Sequence, residues 1–132
     1  MTDPSESSDK RPYGCTLALA IGFVTVAGAH TFHALTTGAP LNLSEEWGNL
    51  LFWMLLATAP FVLLDAVGVR GRWSWGAALA ATLLFWAFFM ASAYISGRDG
   101  TGVNFGAGIL MLFSPVFVAA AGLAAGKLAK EM

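Results

Sequence analysis

The chain has 132 residues, of which 57% are hydrophobic and only 11% are charged. A water-soluble domain carries about a quarter charged residues, so this composition excludes an ordinary soluble domain and indicates an integral membrane protein. The net charge of -1 offers no basic field for nucleic acid, and the single cysteine, Cys15, excludes an intramolecular disulfide and a paired-cysteine metal motif.

Residues 1–13 are polar and contain the basic pair Lys10-Arg11, which predicts a disordered cytoplasmic tail anchored at the membrane edge. The first apolar run covers residues 14–35 and predicts a transmembrane helix. Ala27-Gly28-Ala29 has the small-x-small form of a signal-peptidase site, so a cleaved secretory signal is an alternative. The apolar run continues past this site, which favours a retained helix.

Three further apolar runs cover residues 47–69, 73–96 and 104–126. Each is about 20 residues long, enough to cross a hydrocarbon core of about 30 Å. Arg70-Gly71-Arg72 is the whole connection between the second and third runs, so these spans are predicted to form a tight antiparallel hairpin. The predicted fold is an all-α integral membrane protein. Its four-transmembrane-helix bundle covers residues 14–126, and a short cytoplasmic tail covers 127–132.

The basic residues sort to one side of this arrangement. Only Arg98 lies on the other side, against six lysines and arginines: Lys10, Arg11, Arg70, Arg72, Lys127 and Lys130. Because cytoplasmic segments carry the excess of basic residues, both termini are predicted to be cytoplasmic, with Glu45, Glu46 and Asp99 outside. In a bacterium the membrane would be the plasma (inner) membrane.

Aromatic residues agree with this orientation. Trp73 and Trp75 are predicted at the cytoplasmic interface and Trp47 and Tyr94 at the outer one, where amphipathic rings are enriched.

Two histidines near the outer end of the first span raise the question of a metal site. His30 and His33 are three residues apart and share one side of a helix, and Glu45 and Glu46 begin the second span at a similar depth. Together they could hold a zinc- or copper-like ion, or the histidines could serve a haem. The favoured interpretation is that the histidines are polar residues at headgroup level, hydrogen-bonded to neighbouring threonines or water, with no metal and no cofactor.

Asp65 is the only carboxylate inside an apolar run, and ionisable residues in such positions are often functional. It lies five residues before Arg70, close to the cytoplasmic boundary. Pairing with Arg70 or Arg72, or snorkelling to the interface, is the favoured explanation. A protonatable group for ion-coupled transport is the alternative.

Pro60 and Pro115 lie near the middle of the second and fourth spans, where each frees one backbone carbonyl. Thr58 and Ser114 stand beside these breaks. Discontinuous helices at mid-membrane can bind transported substrates, but plain proline kinks are the favoured interpretation.

Small residues recur at four-residue spacing, which lets helix backbones approach closely. This pattern indicates packing within the bundle or self-association, through the pairs Ala18 with Gly22 and Gly122 with Gly126.

The sequence contains no serine-nucleophile motif, no paired catalytic carboxylates and no nucleotide fingerprint. We therefore expect a non-catalytic accessory or scaffold subunit whose partners are lipid and other membrane subunits. The alternatives are a small transporter that uses Asp65 with Thr58, Ser114 and the two kinks, and an outer-face metal or haem site at His30 and His33.

Overall fold

The computed structural model describes residues 14–38, 43–99 and 105–132, which contain four α-helices. The helices are α1 (Cys15–Thr37), α2 (Leu43–Ala66), α3 (Arg72–Asp99) and α4 (Phe105–Glu131). All four are long and apolar enough to span a membrane, which confirms the prediction of four such helices. The predicted tail over residues 1–13 lies outside the described residues.

Glycines in the left-handed conformation end the first two helices. Gly38 follows α1 with φ 65°, and its N–H donates to Ala34 O at 2.9 Å. Gly68 follows α2 with φ 77°; its N–H donates to Asp65 O at 2.9 Å, and the N–H of Val69 donates to Leu64 O at 2.8 Å. This pair of bonds is a Schellman motif, so α2 ends at Ala66 and the apolar residues 67–69 belong to the link.

The other two helices are longer than the apolar runs. α3 includes Gly97 and Arg98, which lie beyond the apolar run at 73–96. An interior glycine weakens a helix by about 1 kcal/mol relative to alanine but does not end it. α4 continues to Glu131, so Lys127 and Lys130 lie on its last turns.

The helices pack in two pairs. α1 makes its main contact with α2 and α3 with α4, and the two pairs meet chiefly where α2 touches α4. α2 and α3 share the smallest contact of any touching pair, so the tight hairpin predicted from the short link is not shown. The reason is that α4 approaches both helices: a Cβ on Gly122 would lie 2.8 Å from Leu64 Cδ1 of α2 and 3.1 Å from Ser74 O of α3.

Small side chains bring α1 against α2. Ala18, Gly22 and Val26 form the buried face of α1. A Cβ added to Gly22 would overlap Thr58 Oγ1 and lie 3.1 Å from Met54 O, a backbone atom of α2. The two backbones can approach this closely only because Gly22 has no side chain.

Trp75 is the largest side chain of the core around the α2–α3 link. Its ring centroid is 5.3 Å from that of Phe61, and its Nε1 donates to Val69 O at 2.9 Å. Trp75 is therefore buried, whereas Trp73, two residues earlier, is 63% exposed. The predicted interfacial position suits Trp73. The sequence did not reveal that Trp75 fixes the link from inside the bundle.

We predict that Gly122→Ala destabilises the bundle, whereas Gly108→Ala, in the same helix, does not. The new methyl group at 122 would lie 2.8 Å from Leu64 Cδ1, on a side chain that is 1% exposed, and 3.1 Å from the backbone atom Ser74 O. Overpacking of this kind costs about 1 to 3 kcal/mol. A Cβ at 108 meets nothing within 4 Å. Thermal unfolding in one detergent measures both variants, and equal melting temperatures would show that α4 does not pack through Gly122.

Candidate functional site

Asp65 forms an ion pair at the end of α2. Its Oδ1 accepts a hydrogen bond from Arg70 Nε at 2.5 Å, and the two side chains are 22% and 52% exposed. The pairing with Arg70 that the spacing suggested is therefore present. An ion pair with this much exposure contributes between about 0 and 1 kcal/mol.

The same carboxylate lies beside the start of α1. Asp65 Oδ2 is 3.6 Å from the position of a Cβ on Gly14, the residue that precedes α1. α1 has no side-chain cap and no acidic residue in its first turn. A carboxylate at a helix N-terminus interacts favourably with the positive end of the helix dipole. Asp65 thus supplies to α1 a charge that α1 lacks, a role visible only once α1 and α2 are paired.

Ser114 compensates for the proline in α4. Pro115 leaves the carbonyl of Met111 without its helical donor. Ser114 Oγ donates to Met111 O at 2.7 Å and is only 6% exposed. The hydroxyl at this kink is therefore bonded within its own helix.

Thr58 lies in the contact between α1 and α2. It is 4% exposed, its Oγ1 faces the backbone of Gly22, and this atom has no hydrogen-bond partner within the described ranges. Seven residues of helix put Thr58 about 10 Å from Asp65 along the axis. The three residues suggested as a transport site each have a different neighbour. Asp65 pairs with Arg70, Thr58 lies against Gly22, and Ser114 donates to Met111 O.

The histidine region contains few convergent side chains. Thr36 Oγ1 and Thr37 Oγ1 donate to the backbone carbonyl of His33, at 3.1 and 2.7 Å. His30 Nε2 is buried and has no hydrogen-bond partner within the described ranges.

The residues suggested as metal ligands are spread over two helices. Glu45 and Glu46 are exposed in the first turn of α2, and His33 is exposed on α1. Among residues 14–38, 43–99 and 105–132, no group of three or more His, Cys, Asp or Glu side chains is placed to hold a metal ion.

An apolar groove runs between α1 and α3, where these helices touch only sparsely. Its volume is about 810 Å³. The groove has bulky walls at Leu83 and Trp86, and small residues line much of the rest: Ala20, Gly28, Ala87 and Ala91. A Cβ on Gly28 would meet nothing within 4 Å, so the chain itself leaves this position unfilled.

The groove becomes polar toward its Arg98 end. Phe32 and Met90 line both the groove and an adjoining pocket of about 420 Å³. His33, Tyr94 and Arg98 lie in the wall of that second pocket. The sequence raised His33 as an alternative metal ligand and favoured a polar residue at headgroup level, but it gave no sign that α1 and α3 touch only sparsely.

The chain matches no known protein family, and it has no significant similarity to any curated protein or solved structure.

We predict that Asp65→Asn is tolerated. The amide oxygen can still accept from Arg70, and the charges removed lie at a half-solvated boundary. The melting temperature should fall by no more than about 5 °C, since pairs of this exposure contribute little. Arg70→Gln is the matched control and should behave alike. Failure of Asp65→Asn to fold, with Arg70→Gln intact, would contradict this and show that the charge beside the start of α1 contributes far more stability than the pair.

Proposed function

We propose that this chain is a non-catalytic accessory subunit of a membrane complex, and that its α1–α3 groove binds a transmembrane helix of another membrane protein. The observation that carries the proposal is the groove itself, an apolar surface that includes the small residues Ala20, Gly28, Ala87 and Ala91 and that the chain leaves unfilled. No cofactor is part of the proposal.

Three polar groups of the bundle argue against a transporter. A carrier must line its path across the membrane with polar groups that can contact the substrate. Ser114 is bonded to its own helix, and Thr82 Oγ1 likewise donates to Ala78 O at 2.9 Å. Asp65 is tied to Arg70 at the end of α2. These interactions favour an accessory subunit over a transporter.

The glycine pattern supports a protein partner. Some glycines allow close packing inside the bundle, because a neighbouring side chain occupies the space that a Cβ would take. Thr58 occupies this space at Gly22, and Leu64 occupies it at Gly122. Gly28 also weakens α1 relative to alanine, but a Cβ there would meet nothing within 4 Å, and the residue lines the groove. In membranes, small residues on a helix face let another helix approach closely, so Gly28 is suited to an external helix.

The groove is better placed to bind a partner than the small-residue pairs, because residues of those pairs pack within the chain. Ala18 is fully buried against its neighbours, and Gly126 would meet Ser74 if it carried a Cβ. These positions are occupied within one chain. Ala87 and Ala91 are exposed on the α3 side of the groove and remain accessible.

The proposal places the chain across the membrane four times with both termini in the cytoplasm. Arg70, Arg72, Lys127 and Lys130 then lie on the inside, as the distribution of basic residues requires. Each helix of 23 to 28 residues is about 35 to 42 Å long, which exceeds the hydrocarbon thickness of about 30 Å.

Site-specific photo-crosslinking tests the groove. A photoreactive amino acid at Leu83, which is 53% exposed in the groove, should give one adduct with a transmembrane segment of another protein in native membranes. The same probe at Leu112, which is 50% exposed on α4, should not give that adduct. Gly28→Leu fills the groove and should abolish the adduct, and Ala91→Leu, from the α3 wall, should do the same.

Other occupants of the groove would give different crosslinking results. An adduct only between two copies of this chain would mean that the groove is a self-association surface and would refute the accessory role. Adducts with lipid alone, or an adduct that persists in both filled variants, would also contradict the proposal. Melting temperatures like that of the wild-type chain would show that the filled variants fold.

A further inference from the structure

Another pocket, separate from the groove and from the pocket that adjoins it, lies at the opposite end of the bundle from Arg98. It has a volume of about 390 Å³ and is formed by the α2–α3 link, the first turn of α3 and the last turns of α4. Arg70, Lys127 and Lys130 line it, so three of the chain's seven basic residues meet at one cavity. We propose that this pocket binds the phosphate of an anionic phospholipid.

The charges in the pocket are available to an anion. Arg70 donates to Asp65 through Nε, which leaves the outer guanidinium nitrogens to donate elsewhere. Lys127 and Lys130 are exposed, and neither forms an ion pair with a residue of the described ranges. One carboxylate therefore offsets one of three cations, and the pocket keeps a net positive charge.

The backbone adds to this positive potential. Ser74, in the first turn of α3, lines the pocket. The first amides of a helix have no partner within it and carry the positive end of its dipole. In α3, the first backbone amide that donates to the carbonyl four residues earlier is that of Trp75, which donates to Gly71 O at 3.1 Å.

The position of the pocket favours a lipid over a free phosphate. Trp73 is 63% exposed at the link, and Arg72 lies over its ring at 5.8 Å, as expected for an aromatic residue at headgroup depth. Leu123, 44% exposed, gives the pocket an apolar wall next to the lysines. A phospholipid can place its phosphate beside the lysines and its acyl chain against Leu123. Basic pockets between transmembrane helices bind anionic headgroups.

This site is independent of the proposed function, because it does not involve the α1–α3 groove. By the distribution of basic residues it faces the cytoplasmic leaflet, where anionic lipids give the surface its negative potential.

Native mass spectrometry of the detergent-purified full chain, titrated with phosphatidylglycerol, tests the proposal. The first lipid should bind to wild type more tightly than phosphatidylcholine does. Lys127→Gln with Lys130→Gln should weaken phosphatidylglycerol binding roughly 30-fold and leave phosphatidylcholine unchanged. Lys127→Arg with Lys130→Arg should restore it. Arg98→Gln removes one cation at the other end and should have no effect.

Competition with inorganic phosphate distinguishes a site for a lipid phosphate from a site for a free phosphate ion. At the concentration of the lipid, phosphate should not displace it; displacement would assign the pocket to a free anion and overturn the proposal. Equal binding of both lipids, or an equal loss in Arg98→Gln, would overturn it too. The two lysines are exposed near the end of α4, and an unchanged melting temperature for the Gln pair in lipid-free detergent would exclude misfolding as the cause.

Discussion

Close approach of helix backbones at glycine holds this bundle together. Lipid tails are as apolar as the side chains, so burying leucine against leucine gives little net gain in a membrane, and helices associate by packing instead. Gly22 lets α1 lie on Thr58 and on the backbone of α2, and Gly122 lets α4 reach Leu64 and Ser74 at once. The pairing of α1 with α2, and the insertion of α4 beside both α2 and α3, depend on these contacts.

The glycine contacts also locate the surfaces that remain free. α1 packs mainly on α2 and α3 mainly on α4, so α1 and α3 touch only sparsely and the groove lies between them. At the other end, the approach of Gly126 to Ser74 brings the last turns of α4 beside the α2–α3 link. Lys127 and Lys130 are thereby placed near Arg70, which forms the basic pocket. Both proposed binding sites are consequences of one packing pattern.

The sequence predicted the number of helices, because hydrophobic length and the spacing of charges depend only on local composition. It also suggested the Asp65–Arg70 pair, since both residues are close in the chain. Beyond the hairpin suggested by the short link, it did not predict which helices touch, because the spans are apolar on most sides. The small-residue pairs indicated packing positions on the first and fourth spans but not the helices that would meet them. The burial of Trp75 and the position of Asp65 beside α1 depend on those tertiary contacts, and so they could not be read from the sequence.

The tight hairpin predicted from the short link is not shown, for a related reason. A connection of a few residues constrains where α2 ends and α3 begins, but the helices can diverge beyond it. The Schellman turn at Gly68 and the hydrogen bond from Trp75 to Val69 fix the link, while α4 approaches both helices through Gly122.

Both proposed sites assume that the helices cross the membrane, and the lipid site also assumes that the α2–α3 link is cytoplasmic. Cysteine labelling in intact cells tests both assumptions most directly. In a Cys15→Ser background, Glu45→Cys should react with a membrane-impermeant maleimide, and Gly71→Cys should react only after the membrane is permeabilised. Labelling at 71 but not at 45 would invert the orientation. Labelling at both positions in intact cells would contradict the assignment of α2 as a helix that crosses the membrane.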